Sequence, residues 1–280
     1  RKVGAPAAPR RARPRRMASW KRRRLEVNSG VRVKDALFNV ESTPCIWLDA
    51  LRELDDVMAR LALLPSVAVD VEGQNLGHNG RATTIQIGTL QECYIIDLVA
   101  LGMPPSLREF LEGSSPLKVC HGFSGDQINL IEQYNVDFSG AALFDTQVAV
   151  TAVPDFNGKP NLVDILRHFA EGVVPEAVLE EMQRMKKQLQ FVDFFKRPLP
   201  VHVARYSCLD VIYLGAAAEA MQGQLDASGA QRVREESRYC GHWAKGSCYR
   251  PPNERVRQEK RKKGLVWSEE ARDFVAKAKA

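Results

Sequence analysis

The chain has 280 residues, 45% of them apolar and 26% charged, which suits one sizeable domain with appendages better than two equal domains. No run of about 18 uninterrupted apolar residues occurs, so no segment is expected to span a membrane. The net charge of +6 divides into +12 over residues 1–34, −13 over 35–231 and +7 over 232–280, so an acidic body carries two basic ends.

This division sets the expected organisation: a basic N-terminal tail over 1–34, a folded domain over 35–231 and a basic C-terminal extension over 232–280. Residues 1–25 are rich in Arg, Pro and Ala and have no apolar periodicity, so they cannot bury enough surface to fold alone. They read as a tail or an address, and the run Arg22, Arg23, Arg24 suits contact with phosphates, with solvated disorder as the alternative. An Arg-rich, acid-poor start also fits an organelle-targeting segment, and because the first residue is Arg1 the chain is expected to be trimmed or partial.

From Trp47 to Leu64 the apolar residues Leu51, Leu54, Val57, Met58 and Leu61 recur at steps of three and four, which predicts an amphipathic helix ended by Pro65. Ser66–Val71, Thr83–Ile87 and Cys93–Leu98 read as three antiparallel strands, the first two joined by the turn-prone Gly77-His78-Asn79-Gly80. A short helix over Ser106–Leu111 leads to a fourth strand, Leu117–Cys120, and to a helix starting near Gly125. Helices are expected over Asp145–Val153, Asn161–Phe169 and Glu176–Leu189, and a longer one over Val201–Met221. Strands first and crossover helices later predict an α/β fold, a mixed sheet flanked by helices.

Asp70 and Glu72 stand two residues apart on the first of these strands, so both carboxylates project from one face while Val69 and Val71 face the other way. Two adjacent carboxylates repel by roughly 1–4 kcal/mol, depending on screening, unless a cation neutralises them. Alone, the pair also fits an exposed strand edge, just as Asp126 alone fits an acid in the first turn of a helix. Tyr206 and Asp210 are four apart on a helix, so a phenol and a carboxylate share a face there.

Taken in order, the segments Val67-Ala-Val-Asp70-Val-Glu72-Gly, Lys118-Val-x-His121-Gly-x-x-x-Asp126 and Arg197-Pro-Leu-Pro followed by Tyr206-x-x-x-Asp210-Val-x-Tyr213-Leu resemble the DEDDy 3′→5′ exonucleases. That group includes ribonuclease D and the Egalitarian-like 3′–5′ exonuclease domain proteins, and has a ribonuclease H-like fold. The resemblance covers roughly residues 45–225. Gly73-Gln74, where many members carry a bulky aromatic, looks most like the Egalitarian-like branch, in which some proteins have lost catalysis.

The resemblance implies two Mg²⁺ or Mn²⁺ ions held by Asp70, Glu72, Asp126 and Asp210, with Asp70 shared between them and Tyr206 orienting the attacking water. The implied reaction is hydrolysis of RNA, with single-stranded DNA as the alternative, to nucleoside 5′-monophosphates. All-oxygen ligands suit hard ions, and an unperturbed phenol titrates too high, near 10, to act as a full base. The acids Asp97, Asp145 and Asp164 are expected to cap turns or helices. His121 is a candidate contact for nucleic acid, with a histidine satisfied by the backbone as the alternative.

Near the C-terminus Cys240, His242 and Cys248 supply three ligands where structural zinc needs four, so Zn²⁺ is the weaker expectation against a thiol-bearing loop. The run Lys260, Arg261, Lys262, Lys263 suits phosphate contact. Six dispersed cysteines, several of them inside apolar runs, point to a reducing, intracellular compartment, with mitochondrion and nucleus or nucleolus as the options. Expected partners are RNA, a ribonucleoprotein and further proteins. The alternative to an active nuclease is an exonuclease-fold RNA-binding or assembly protein within a ribonucleoprotein such as a mitochondrial ribosome or its precursor.

Overall fold

In the computed structural model, residues 36–77, 80–154, 156, 160–189 and 192–238 are described. The basic runs Arg22–Arg24 and Lys260–Lys263, and the Cys240, His242, Cys248 cluster, lie outside them.

Seven strands form one mixed sheet in the order β1-β2-β5-β4-β3-β6-β7. β3 (Ser66–Gln74), β4 (Arg81–Gly88) and β5 (Cys93–Asp97) make the antiparallel meander that the β-branched runs predict. β6 (Leu117–Cys120) then returns parallel to β3 through α3 (Pro105–Glu112), and β7 (Leu143–Asp145) adds parallel to β6. On the other side β2 (Thr43–Leu48) pairs parallel with β5 and antiparallel with β1 (Phe38–Val40).

Alternation along each strand divides the core between the two faces of the sheet. Val67, Val69, Val71, Ile85, Ile87 and Ile96 pack with α1 (Leu51–Leu61), α3 and the side of α4 (Ser124–Tyr134) that carries Leu130. Cys45, Ala68, Cys93 and Ile95 face the other way, toward the helices that follow β7. Those are α5 (Thr146–Ala149), α6 (Leu162–Phe169), α7 (Glu176–Lys186), α8 (Val201–Ile212), α9 (Leu214–Gln222) and α10 (Ala227–Ser237). The short α2 (Leu98–Leu101) follows β5 directly.

Several boundaries differ from expectation. Trp47 belongs to β2, where pairing with Ile95 outweighs the helical step of four to Leu51, and α1 starts only at Leu51. Asp145 ends a strand and caps the short α5, so the helix expected over Asp145–Val153 shrinks to one turn. The long helix expected from Val201 breaks at Tyr213 into α8 and α9. α10 crosses residue 231, and the Ser237 hydroxyl at its end accepts the Asp145 N–H at 2.9 Å, so packed structure continues past the edge that composition suggests.

Two features seat α8 on the sheet. Gly88 of β4 lies so close that an added Cβ would come within 2.6 Å of Val211 Cγ2, so only glycine admits the helix at this depth. Just before α8, Arg197 grips Asp97 with two hydrogen bonds of 2.8 and 2.7 Å, donates to the Thr83 carbonyl and lies over the Trp47 ring. The start of α8 is thereby tied to β2, β4 and β5.

Candidate active site

The same alternation that puts Val69 and Val71 into one core layer turns Asp70 and Glu72 toward α8. Carboxylate oxygens of Asp70, Glu72 and Asp210 come within 4.8 Å of one another, although β3 and α8 are far apart in the chain. Asp126 reaches the same cavity from the first turn of α4. Gly122 takes the positive φ of 67° needed to turn the chain from β6 into α4. Asp145 braces that turn by accepting the N–H groups of Gly122 at 2.8 Å and Phe123 at 2.9 Å.

Asp70, Glu72, Asp126, Tyr206 and Asp210 all line one open cavity of about 200 Å³, together with His121, Lys186, Leu162 and Leu214. The capping acids do not join them. Asp97 caps α2, Asp145 caps α5, and Asp164 closes the capping box with Asn161 at the start of α6.

The electrostatics are those of a crowded anionic site. Burial pushes the Asp70 carboxyl up to about 7. Glu72 is raised well above its ordinary value by burial and by the charges of Asp70, Asp210 and Asp126. Asp126 and Asp210 are raised in the same way, by burial first and then by Asp70. Asp210 Oδ1 is buried with no hydrogen-bond partner, a costly state for an acceptor that a cation would relieve. Four carboxylates, an all-oxygen donor set and an orphaned oxygen together fit hard divalent ions.

Burial, followed by the charges of Asp210, Glu72 and Asp70, pushes the Tyr206 phenol far up. It therefore stays protonated, a hydrogen-bond donor and not a base. His121 Nδ1 lies 2.9 Å from Thr146 Oγ1, while that hydroxyl donates to the Cys120 carbonyl at 3.0 Å. With its single proton committed, Thr146 can only accept, so His121 carries its proton on Nδ1 and keeps Nε2 as an acceptor. Burial, aided by the Lys186 charge, lowers His121 to about 4, so the ring is neutral at pH 7.

Lys186, the last residue of α7, was not among the residues the sequence singles out. It lines the cavity, and its charge lowers both Asp210 and His121. A lysine in a run such as Met185-Lys186-Lys187-Gln188 looks like any solvated helix end, and only the packing of α7 against α8 brings it here.

Residues 45–226 match the family model described as 3′-5′ exonuclease. Among curated proteins, the chain is 31% identical over 179 residues to Protein RRP6-like 2 of Arabidopsis thaliana, covering 62% of this chain and 19% of that protein. It is 29% identical over 178 residues to Exosome complex exonuclease RRP6 of Saccharomyces cerevisiae, covering 62% of this chain and 22% of the relative. The chain thus spans about a fifth of the length of these relatives. Among solved structures, the catalytic core of RRP6 from Trypanosoma brucei superposes with a TM-score of 0.58 at 22% identity, over 75% of this chain and 55% of that one. Escherichia coli RNase D superposes with a TM-score of 0.57 at 18% identity, over 71% and 50% respectively. At these identities the structural likeness speaks for the fold.

Proposed function

Since the chain belongs to the 3′-5′ exonuclease family, we propose that its carboxylate cavity hydrolyses RNA from the 3′ end, releasing nucleoside 5′-monophosphates with the help of divalent ions. The observation that carries this reading is the meeting of Asp70, Glu72 and Asp210 within 4.8 Å, with Asp126 and Tyr206 facing the same space. Asp70, Glu72, Asp126 and Asp210 would hold a pair of Mg²⁺ or Mn²⁺ ions. When bound, the ions supply charge neutralisation at the phosphodiester and a lowered pKa for the attacking water.

The rest of the work belongs to the side chains. Tyr206, held as a neutral phenol, orients the attacking water from its place beside Asp210. Tyr206→Phe removes that hydroxyl and little else, so kcat is expected to fall by about 10²-fold with divalent-ion affinity unchanged. Because the phenol does not titrate near neutrality, the shape of the pH–rate profile should survive; loss of one limb of that profile would show that Tyr206 acts as a base instead.

Lys186 supplies the one cation among the described residues lining this cavity, and in this reading its ammonium meets a phosphate of the bound 3′ end. Lys186→Ala is expected to raise KM about tenfold, ~1.4 kcal/mol, with kcat nearly constant. Losing one phosphate contact also flattens the salt dependence of RNA binding by about 0.7 in log–log slope, measured in chelator so that nothing is cleaved. An unchanged slope would take Lys186 out of the substrate path. His121 Nε2, free to accept, faces the same strand as a candidate partner for a ribose hydroxyl.

The likeness to exosome components favours protein partners of that kind, and a nucleus or nucleolus over the mitochondrion. With four carboxylates and Tyr206 sharing one cavity, nothing favours the alternative of a non-catalytic assembly protein. The deciding assay compares 3′- and 5′-labelled RNA and single-stranded DNA in Mg²⁺, Mn²⁺ or chelator. The expected result is ion-dependent release of labelled 5′-monophosphate from the 3′ end of RNA; internal cleavage, or release that persists in chelator, would overturn the reading.

A further inference from the structure

A second cluster of metal-ligating side chains lies in the core, apart from the carboxylates. Cys45 of β2 and Cys93 of β5 are paired neighbours in the parallel register, and both point to the sheet face that α8 covers. Cys208 comes down onto them from α8. The three sulfurs all lie within 4.8 Å of one another, and each residue is 0% exposed. The Cys45 thiol also lies 3.9 Å from the Thr43 carbonyl, to which it donates. The fourth described cysteine, Cys120, sits elsewhere, against the Phe144 carbonyl.

Filling a core asks only for small apolar volume, which alanine or valine supply equally well, and it does not require that three cysteines from three elements meet. A metal does require it. With metal–sulfur bonds of about 2.3 Å, a trigonal three-sulfur site needs its sulfurs about 4 Å apart, a spacing that falls inside the 4.8 Å limit met here. A tetrahedral ion such as zinc would need a fourth donor. Among the described residues no His, Cys, Asp or Glu joins the three, and burial bars water from the open position. Hard ions are excluded by the all-sulfur set, which leaves a soft ion content with three ligands. We propose that Cys45, Cys93 and Cys208 form a closed three-sulfur site for monovalent copper. The ion would pin α8, which also carries Tyr206 and Asp210, to β2 and β5.

The test uses the full chain with Cys240→Ser and Cys248→Ser, so that the terminal thiols do not compete, kept reduced with a phosphine. Because the site is sealed, Cu(I) from a chelator-buffered stock is present during refolding as well as added to native protein. One equivalent of copper should remain after gel filtration, with X-ray absorption showing three sulfur neighbours and no nitrogen or oxygen, and the melting temperature should rise. Cys93→Ala and Cys208→Ala should each lose the copper, while Cys120→Ala keeps it. Absorption on the unsubstituted cluster keeps the test decisive if a cysteine variant fails to fold. Absence of retained copper after refolding, coordination that includes nitrogen or oxygen, or retention unaffected by Cys93→Ala would reduce the cluster to core filler. None of these readouts depends on hydrolysis, so the inference stands or falls apart from the nuclease reading.

Discussion

Asp70→Asn is expected to lower divalent-ion-dependent release of nucleotides by about 10³-fold or more and, in chelator, to make the domain more stable. The two effects have one cause. Asp70 stands beside Glu72 on the same strand face and close to Asp210 and Asp126, and its charge is among the reasons each of those carboxyls is raised. Asparagine keeps the shape but removes the charge. Two like charges at 4 Å repel by about 1 kcal/mol in water and about 4 kcal/mol near a protein surface, so relief of about 1–4 kcal/mol is expected without ions. For a domain of this size each 1 kcal/mol moves the melting temperature by about 2–4 °C. Thermal unfolding in chelator at pH 8 should therefore place the variant above the parent, with its ion-induced stabilisation lost. A variant that melts lower, or that keeps its activity, would mean that Asp70 is a structural residue and the cavity is not an ion site.

The carboxylates could be found before the structure because their ordered motifs resemble those of the DEDDy exonucleases; spacing by itself encodes only which side chains share a face. A two-residue step on a strand and a four-residue step on a helix each fix a shared face, and Asp70/Glu72 and Tyr206/Asp210 obey these steps. What spacing cannot encode is which faces meet. By its position alone Asp126 looks like any acid in the first turn of a helix; the resemblance singles it out, and the turn at Gly122, held by Asp145, brings it to the cavity of Asp70, Glu72 and Asp210. β1 and β7 have three residues each, too short for alternation to show, and exist because β2 and β6 offer them edges to pair with. Lys186 and the three core cysteines were illegible for the same reason, since nothing local distinguishes them from a solvated lysine or a buried small hydrophobe.

The rise in melting temperature produced by Mg²⁺ or Mn²⁺ is expected to grow as pH increases from 6 to 8. In the ion-free domain Asp70 is raised to about 7, and Glu72, Asp126 and Asp210 are raised as well, whereas in the unfolded chain carboxyls titrate near 4. Between those limits Asp70 keeps a proton in the folded form that it loses in the unfolded one, so its contribution is full below about pH 4 and is lost as pH climbs through 7, and the other three raised carboxyls act in the same sense. Divalent ions compete with the same protons, so at pH 6 they must displace more of them than at pH 8. At a concentration about 100 times Kd an ion adds about 2.7 kcal/mol, or roughly 5–11 °C here, and that full value should appear only at the upper end of the range. His121, lowered to about 4 by burial, contributes in the opposite sense below its ordinary value of 6.5. It does so with and without ions, so the difference between the two melts removes most of it. Differential scanning calorimetry at half-unit pH steps, with chelator or ion, measures that difference. A shift that stays flat across pH 6–8, or shrinks, would mean that ions bind away from these carboxylates, and the cavity between β3, α4 and α8 would lose its claim to be the catalytic centre.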